Sequence, residues 1–158
     1  MSDDKGDNVR VIVRCRPFNE REKKLGDYDI IETDKEMGQV TIEKPETKDM
    51  NGKVIDKKVK QTFTFDGAYG ETSKQTEIFD ESVKPMIEFC MQGYNSTVFA
   101  YGQTGSGKTH TMMGYANDKG MIPQGIQLIF DLMEGAAQNE TYLVRCSFYE
   151  IYNEQIRD

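Results

Sequence analysis

At 158 residues, 37% hydrophobic and 30% charged, the chain has the composition of one globular domain at most. A formal charge of −7 excludes a basic footprint for nucleic acid, and no apolar run reaches membrane-spanning length. The start, Met1-Ser2-Asp3-Asp4-Lys5-Gly6-Asp7, is polar and acidic and lacks the apolar core of a signal peptide.

Residues 1–8 read as a flexible tail. Val9 to Arg16 alternates, which predicts a strand with Val9, Val11, Val13 and Cys15 on one face and Arg10, Ile12, Arg14 and Arg16 on the other. Pro17 stops it. Residues 19–61 are charged and lysine-rich, with turn signals at Asp34-Lys35 and Met50-Asn51-Gly52. Short runs at Asp29-Ile30-Ile31 and Gln39-Val40-Thr41-Ile42 predict a small exposed β lobe whose residues 45–60 are mobile. Thr62-Phe63-Thr64-Phe65 resumes strand alternation, ended by Asp66-Gly67. Thr72 with Gln75 has the spacing of a capping box. The helix it opens places Ile78, Phe79, Val83, Met86, Ile87, Cys90 and Met91 on one face, with a kink expected at Pro85 and an end at Gly93.

The β-branched and aromatic run Thr97-Val98-Phe99-Ala100-Tyr101 predicts a buried strand leading into Gly102-Gln103-Thr104-Gly105-Ser106-Gly107-Lys108-Thr109. That octet fits G-x-x-x-x-G-K-[ST] at every fixed position. Its glycines let backbone N–H groups turn toward phosphate oxygens without an obstructing side chain. Lys108 is placed to reach the β- and γ-phosphates, the Thr109 hydroxyl is suited to Mg²⁺, and the following helix adds its N-terminal partial charge. Strand, loop and helix in this order identify a nucleoside triphosphate site.

Beyond it, Gly114 to Gly120 reads as a polar loop, with Met113, Met121 and Ile122 packing around it rather than lining a deep pocket. Pro123 starts a second amphipathic helix with Ile126, Ile129, Phe130 and Met133 inward. Leu128-Ile129-Phe130-Asp131 has the look of an apolar run ending in a Mg²⁺-binding Asp, but helical spacing puts Asp131 on a solvated helix side. Tyr142 to Ile151 alternates as a last strand. The three cysteines, Cys15, Cys90 and Cys146, have neither metal nor redox spacing and are expected as buried free thiols in a reducing compartment. There, Asn95-Ser96-Thr97 and Asn139-Glu140-Thr141 match the glycosylation pattern only by accident. The element order is that of an α/β protein.

Four stretches together resemble the kinesin motor domain. Gly93 through Met112 is similar almost letter for letter. Val11-Ile12-Val13-Arg14-Cys15-Arg16-Pro17-Phe18 resembles the family's first strand with its R-x-R-P. Phe63-Thr64-Phe65-Asp66 resembles the strand before its first major helix, and Ser147 to Glu154 resembles its fourth core strand. The resemblance implies a P-loop NTPase fold, three layers about a central, mostly parallel sheet. Residues 9–158 would be the N-terminal half of that domain, 19–61 its small β lobe and 93–113 its phosphate-loop region.

It further implies that Arg14, Arg16 and Pro17 line the adenine and ribose. Gly102, Gln103, Thr104, Gly105, Ser106, Gly107, Lys108 and Thr109 would hold the phosphates of ATP or ADP, with Thr109 on Mg²⁺. His110 follows the loop in the family pattern, beside the nucleotide, or equally is a helix-face histidine with no chemistry. The implied activity is ATP hydrolysis coupled to movement along microtubules in the cytoplasm. The similarity of Val9 to Pro17 to the ciliary-transport branch adds cilium or flagellum to the expected locations. The family's serine-rich first switch and D-x-x-G second switch, which position the attacking water, are read as absent from all 158 residues. The isolated chain is therefore expected to lack catalytic residues and to reach microtubules only through the rest of the motor domain. The competing reading is a truncated nucleotide-binding or interaction module without hydrolysis. A guanine-reading N-K-x-D is absent, against an unrelated GTPase.

Overall fold

A computed structural model describes residues 9–136 and 140–157. The tail 1–8, Asn139 of the second glycosylation match and Asp158 lie outside the described residues. The predicted first strand is realised as β1 (Ile12–Arg14), shorter than the alternation suggested. It pairs in parallel with β7 (Gly67–Tyr69), register Ile12 with Gly67 and Arg14 with Tyr69. Backbone bonds from Asp66 N–H to Val11 C=O (2.9 Å) and Cys15 N–H to Tyr69 C=O (2.8 Å) extend the pair at both ends. Asp66-Gly67, expected to end a strand, therefore turns the chain into a second one. Gly67 suits the crossing, because a Cβ there would meet Ile12 Cγ2 at 3.2 Å.

Between them lies the β lobe, preceded by a helix that the charged composition concealed. α1 (Glu20–Leu25) opens with a capping box, Asn19 accepting from the N–H groups of Arg21 and Glu22 while Glu22 accepts from that of Asn19, and ends at Gly26 with φ of 74°. β2 (Ile31–Asp34), β3 (Gln39–Lys44) and β6 (Val59–Thr64) form an antiparallel sheet in the order β2-β3-β6. Val40, opposite Thr33 and Phe63, is its buried centre. β4 (Thr47–Lys48) and β5 (Val54–Asp56) make a small hairpin within the stretch expected to be mobile. The reading that D-x-x-G is absent is corrected: the chain spells it twice, and Asp3–Gly6 lies outside the described residues. Asp49-Met50-Asn51-Gly52 is the turn of this hairpin, closed by Gly52 N–H on Asp49 C=O at 3.0 Å. Lys35, in the β2–β3 turn, ties the lobe to the helical layer through Glu77 (2.5 Å) and Glu81 (2.6 Å).

The helical layer begins with α2 (Gln75–Ile78), passes through a π-helical segment (Phe79–Val83) and continues as α3 (Lys84–Met91). The kink expected at Pro85 takes the form of this wider turn. Proline gives no N–H to the carbonyl four residues back and its ring crowds that carbonyl, and a π turn relieves both. Thr72 is not the cap: it lies in the turn closed by Ser73 N–H on Gly70 C=O, and Lys74 occupies the N-cap position. After α4 (Lys108–Met112), the expected polar loop is a hairpin, β8 (Gly114–Tyr115) with β9 (Asp118–Lys119).

α5 (Met121–Glu134) crosses the first helical run at Gly125, where an added Cβ would stand 3.1 Å from Ile87 Cδ1. The core is Tyr69, Ile78, Phe79, Val83 and Met121, with Ile12, Ile87, Met112 and Leu128 against it. This corrects the inward face read for α5 in part. Ile129 and Met133 are half-buried as read, but Ile126 and Phe130 are exposed, because the close approach at Gly125 turns Met121, Gly125 and Leu128 inward. Met121 packs as expected, whereas Met113 and Ile122 are exposed. Asp131 sits on the exposed side of α5, bonded to Gln127 at 2.9 Å, as helical spacing required.

Two further readings are corrected. Thr97–Tyr101 and most of Tyr142–Ile151 form no strand; only β10 (Glu150–Tyr152) pairs, with β11 (Gln155–Arg157), across a turn at Asn153-Glu154. Among the described residues no neighbouring strand supplies ladder partners to 97–101 or 142–149. Phe99, Tyr101, Leu143 and Phe148 stand 76–96% exposed. The cysteines are not buried: Cys15 is half-buried, and Cys90 and Cys146 are exposed. The chain presents 13510 Å² of accessible surface at 18.1 kDa, against roughly 8,000 Å² for a folded monomer of that mass. Exposed apolar side chains of the described residues, Phe99, Tyr101, Leu143 and Phe148 among them, contribute to the difference.

Candidate nucleotide-binding site

The site is built at the N-terminus of α4. Gly102, Gly105 and Gly107 take φ of 155°, 82° and 96°, the latter two in the left-handed region open to glycine. The turn is closed by Ser106 N–H on Gln103 C=O at 3.2 Å. Among the described residues, the N–H groups of Gly105, Gly107, Lys108 and Thr109 have no protein acceptor, which leaves a row of donors on one loop. Lys108 Nζ folds over the same loop, donating to the carbonyls of Gly102 (2.7 Å) and Gln103 (2.8 Å). Neutral carbonyls are weaker acceptors than phosphate oxygens, so the ammonium is held in place without being consumed. Gly102 to Gly105 and Thr109 are exposed, and Ser106, Gly107 and Lys108 half-buried. The donor set fits a polyphosphate, and the Thr109 hydroxyl at the first helical turn fits a hydrated Mg²⁺.

The two arginines predicted to share a task are separated. Arg16 reaches the loop: its Nε donates to Gly105 C=O at 2.8 Å, and its guanidinium forks onto Glu22 at 2.6 and 2.8 Å. That pairing, with the Asn19 N–H, holds the Glu22 carboxyl down at about 2. Arg14 turns away beneath α4. It donates to Gln75 Oε1 (2.5 Å), Thr111 Oγ1 (3.1 Å) and Ser73 C=O (3.3 Å). Burial lowers its pKa, partly offset by Asp118, and an arginine so placed keeps its charge. Pro17 is exposed beside Arg16, which donates to its carbonyl at 2.8 Å. His110 points from α4 to the β8–β9 hairpin, its Nε2 3.3 Å from Asp118 Oδ2 and its ring 5.3 Å from that of Tyr115.

Sequence reasoning missed two residues here. Gln75 is 1% exposed and joins three elements, since its Nε2 donates to His110 C=O at 2.5 Å. The sequence marks it only as the capping-box partner of Thr72, a role it does not take; its bonds to β1 and α4 leave no local signal. Glu22 had a legible signal, the Asn19-x-x-Glu22 capping spacing, that the charged run obscured. Among the described residues no group of acidic, histidine and cysteine side chains could hold a metal by itself.

A glycine-rich loop opening a helix, beside a parallel β pair, defines the class as a P-loop nucleotide-binding α/β protein. Comparison with known proteins gives the family. The kinesin motor domain model matches residues 14–158, and the chain belongs to that family. It is 42% identical over 153 residues to kinesin-like protein KIF3C of Pongo abelii, and equally to those of Mus musculus and Bos taurus. Each alignment covers 95% of this chain and 18% of the relative. Among solved structures, that of a fast kinesin aligns with a TM-score of 0.70 at 35% identity, over 83% of this chain and 34% of its own. The chain thus spans about a fifth of the length of these curated relatives, and its fold is that of the corresponding part of a kinesin motor.

Proposed function

We propose that this chain is the ATP-binding portion of a microtubule motor. The observation that carries the reading is the cradle at Gly102–Thr109: left-handed glycines, unpaired N–H donors and the Lys108 ammonium converge on one loop. In this reading Gly102 to Lys108 hold the phosphates of ATP or ADP, Thr109 holds Mg²⁺, and Arg16 and Pro17 flank the nucleotide's base side. Arg14 supports the loop from beneath instead of touching the base, and His110 steadies the adjacent hairpin. Bound Mg·ATP supplies the phosphoryl group; the chain's residues bind and orient it, and Lys108 neutralises its charge.

Microtubule engagement and water positioning are assigned to the remainder of the motor domain, with which this chain would share its uncovered apolar faces. Work at the cytoskeleton, in cytoplasm or cilium, follows from the same assignment. The excess exposed surface favours a second reading for the chain in isolation, a nucleotide-binding module that does not hydrolyse. The test is Lys108→Ala in the full-length protein, read by equilibrium Mg·ATP binding and by phosphate release with and without microtubules. Loss of both supports the reading; ATP affinity equal to wild type sinks it.

A further inference from the structure

α1 buries no side chain, so hydrophobic packing does not explain why this six-residue helix is held where it is. Its attachment is polar and leads to the phosphate loop. Glu22 Oε2 accepts from the Asn19 N–H (2.8 Å) and from Arg16 Nη1 (2.8 Å), and Oε1 accepts from Arg16 Nη2 (2.6 Å). The third guanidinium nitrogen, Nε, donates to Gly105 C=O at 2.8 Å. The stem of Arg16 runs along the loop, its Cβ 3.8 Å from where a Gly107 side chain would begin.

We propose that Glu22 is a positioning residue for the nucleotide site: it fixes the Arg16 guanidinium so that Arg16 holds the Gly105 peptide, and with it the phosphate loop. This rests on the nucleotide-binding reading above. Of the three loop glycines, Gly105 is the one with open space where a side chain would stand. It has φ of 82°, and a side chain there would meet nothing within 4 Å. Glycine also has the greatest backbone freedom to lose, so the loop needs a tether if it is to wait in the binding geometry. A free arginine would be a poor one, because its flexible stem and unpaired charge would be drawn to solvent or to the phosphates themselves. The fork to Glu22 removes both escapes: it immobilises the planar guanidinium bidentately and neutralises its charge, leaving Nε–H aimed at the carbonyl. Releasing Arg16 lowers the fraction of loops in the binding-competent form, and apparent affinity falls by that fraction.

The test uses the full-length protein and equilibrium binding of a fluorescent ATP analogue and of ADP with Mg²⁺. Glu22→Gln keeps the size of the side chain and removes its charge; it is expected to weaken both nucleotides roughly three- to tenfold, toward the low end of couplings through one contacting network. Lys24→Gly loosens the same helix through its backbone without touching the link, and is expected to leave affinity unaltered. Arg16→Lys combined with Glu22→Gln is expected to bind no more weakly than Arg16→Lys alone. Wild-type affinity in Glu22→Gln, an equal loss in Lys24→Gly, or multiplying losses in the double variant would each overturn the proposal. Lys108→Ala, run alongside, separates the two levels. Retained affinity there overturns the nucleotide site itself, whereas loss there with none in Glu22→Gln overturns the role of Glu22 alone.

Discussion

Arg14 and Gln75 meet beneath the phosphate-loop helix, Arg14 Nη1 donating to Gln75 Oε1 across 2.5 Å. Gln75 spends its other end on the carbonyl of His110, so one buried amide joins β1, α2 and α4. A buried donor or acceptor stripped of its partner costs its full desolvation, about 1–3 kcal/mol, and more when charged. Gln75→Ala is therefore expected to destabilise the protein by about 2 kcal/mol. Gln75→Leu, although it fills the space, should be no better, because Arg14 loses one of its three acceptors and the His110 carbonyl loses its Gln75 donor. Thermal or denaturant unfolding of the two variants decides: a Leu variant near wild-type stability would mean that the site needs volume and not polarity.

At Gly107 the backbone stands at φ of 96°, just before Lys108. Space is not the obstacle, since the nearest atom to an added Cβ is Arg16 Cβ at 3.8 Å. Gly107→Ala should nonetheless cost about 1–2 kcal/mol of backbone strain. More telling, the loop should relax toward negative φ and misdirect the Lys108 N–H, with Mg·ATP affinity falling by more than tenfold. Calorimetric titration checks this, and affinity within twofold of wild type would show that the left-handed turn is dispensable.

The carboxylates of Glu22, Glu77 and Glu81 all titrate below their usual range. Glu22 is lowered to about 2 from 4.5 by Arg16 first and the Asn19 N–H second; Glu77 and Glu81 are lowered chiefly by hydrogen bonds from Lys35. Groups that hold protons less readily when folded contribute stability above their unfolded pKa and lose it as pH falls through the folded value. The stability gap between wild type and Glu22→Gln should thus be constant from pH 7 to about 5, shrink below about 4.5, and close toward pH 2. Denaturant melts across that range measure it, and a gap that persists at the acid end would contradict the Arg16–Glu22 link.

Residues 1–158 on their own are expected to show no microtubule-stimulated phosphate release and to bind a hydrophobic dye strongly. In the proposed reading the phosphate loop would orient and neutralise phosphates but would offer nothing to place a water in line with them. The apolar side chains at Phe99, Leu143 and Phe148 are open to solvent. Supplying the downstream part of a kinesin motor should restore turnover and displace the dye. Stimulated turnover by the isolated segment would end this view of the division of labour.

The phosphate loop was legible because it is a local object. Its chemistry requires glycine at turning points and Lys108-Thr109 at the helix start, and those demands are written in eight consecutive residues. The amphipathic character of the first long helix and the helical placement of Asp131 were legible for the same reason, since periodicity within one element reports which side meets the core. Strand formation is not local. Thr97–Tyr101 and Tyr142–Tyr149 have the composition of strands, yet a strand exists only when a neighbour takes up its N–H and C=O groups, and none in the described residues does. The division of Arg14 from Arg16 was likewise hidden. Alternation put both on one face of β1, and only the packing of α2 and α4 over that face drew Arg14 to Gln75 while Glu22 held Arg16 on the loop. The inward face of α5 was decided at Gly125, a residue with no side chain to show a period, because helices approach most closely where nothing stands between them.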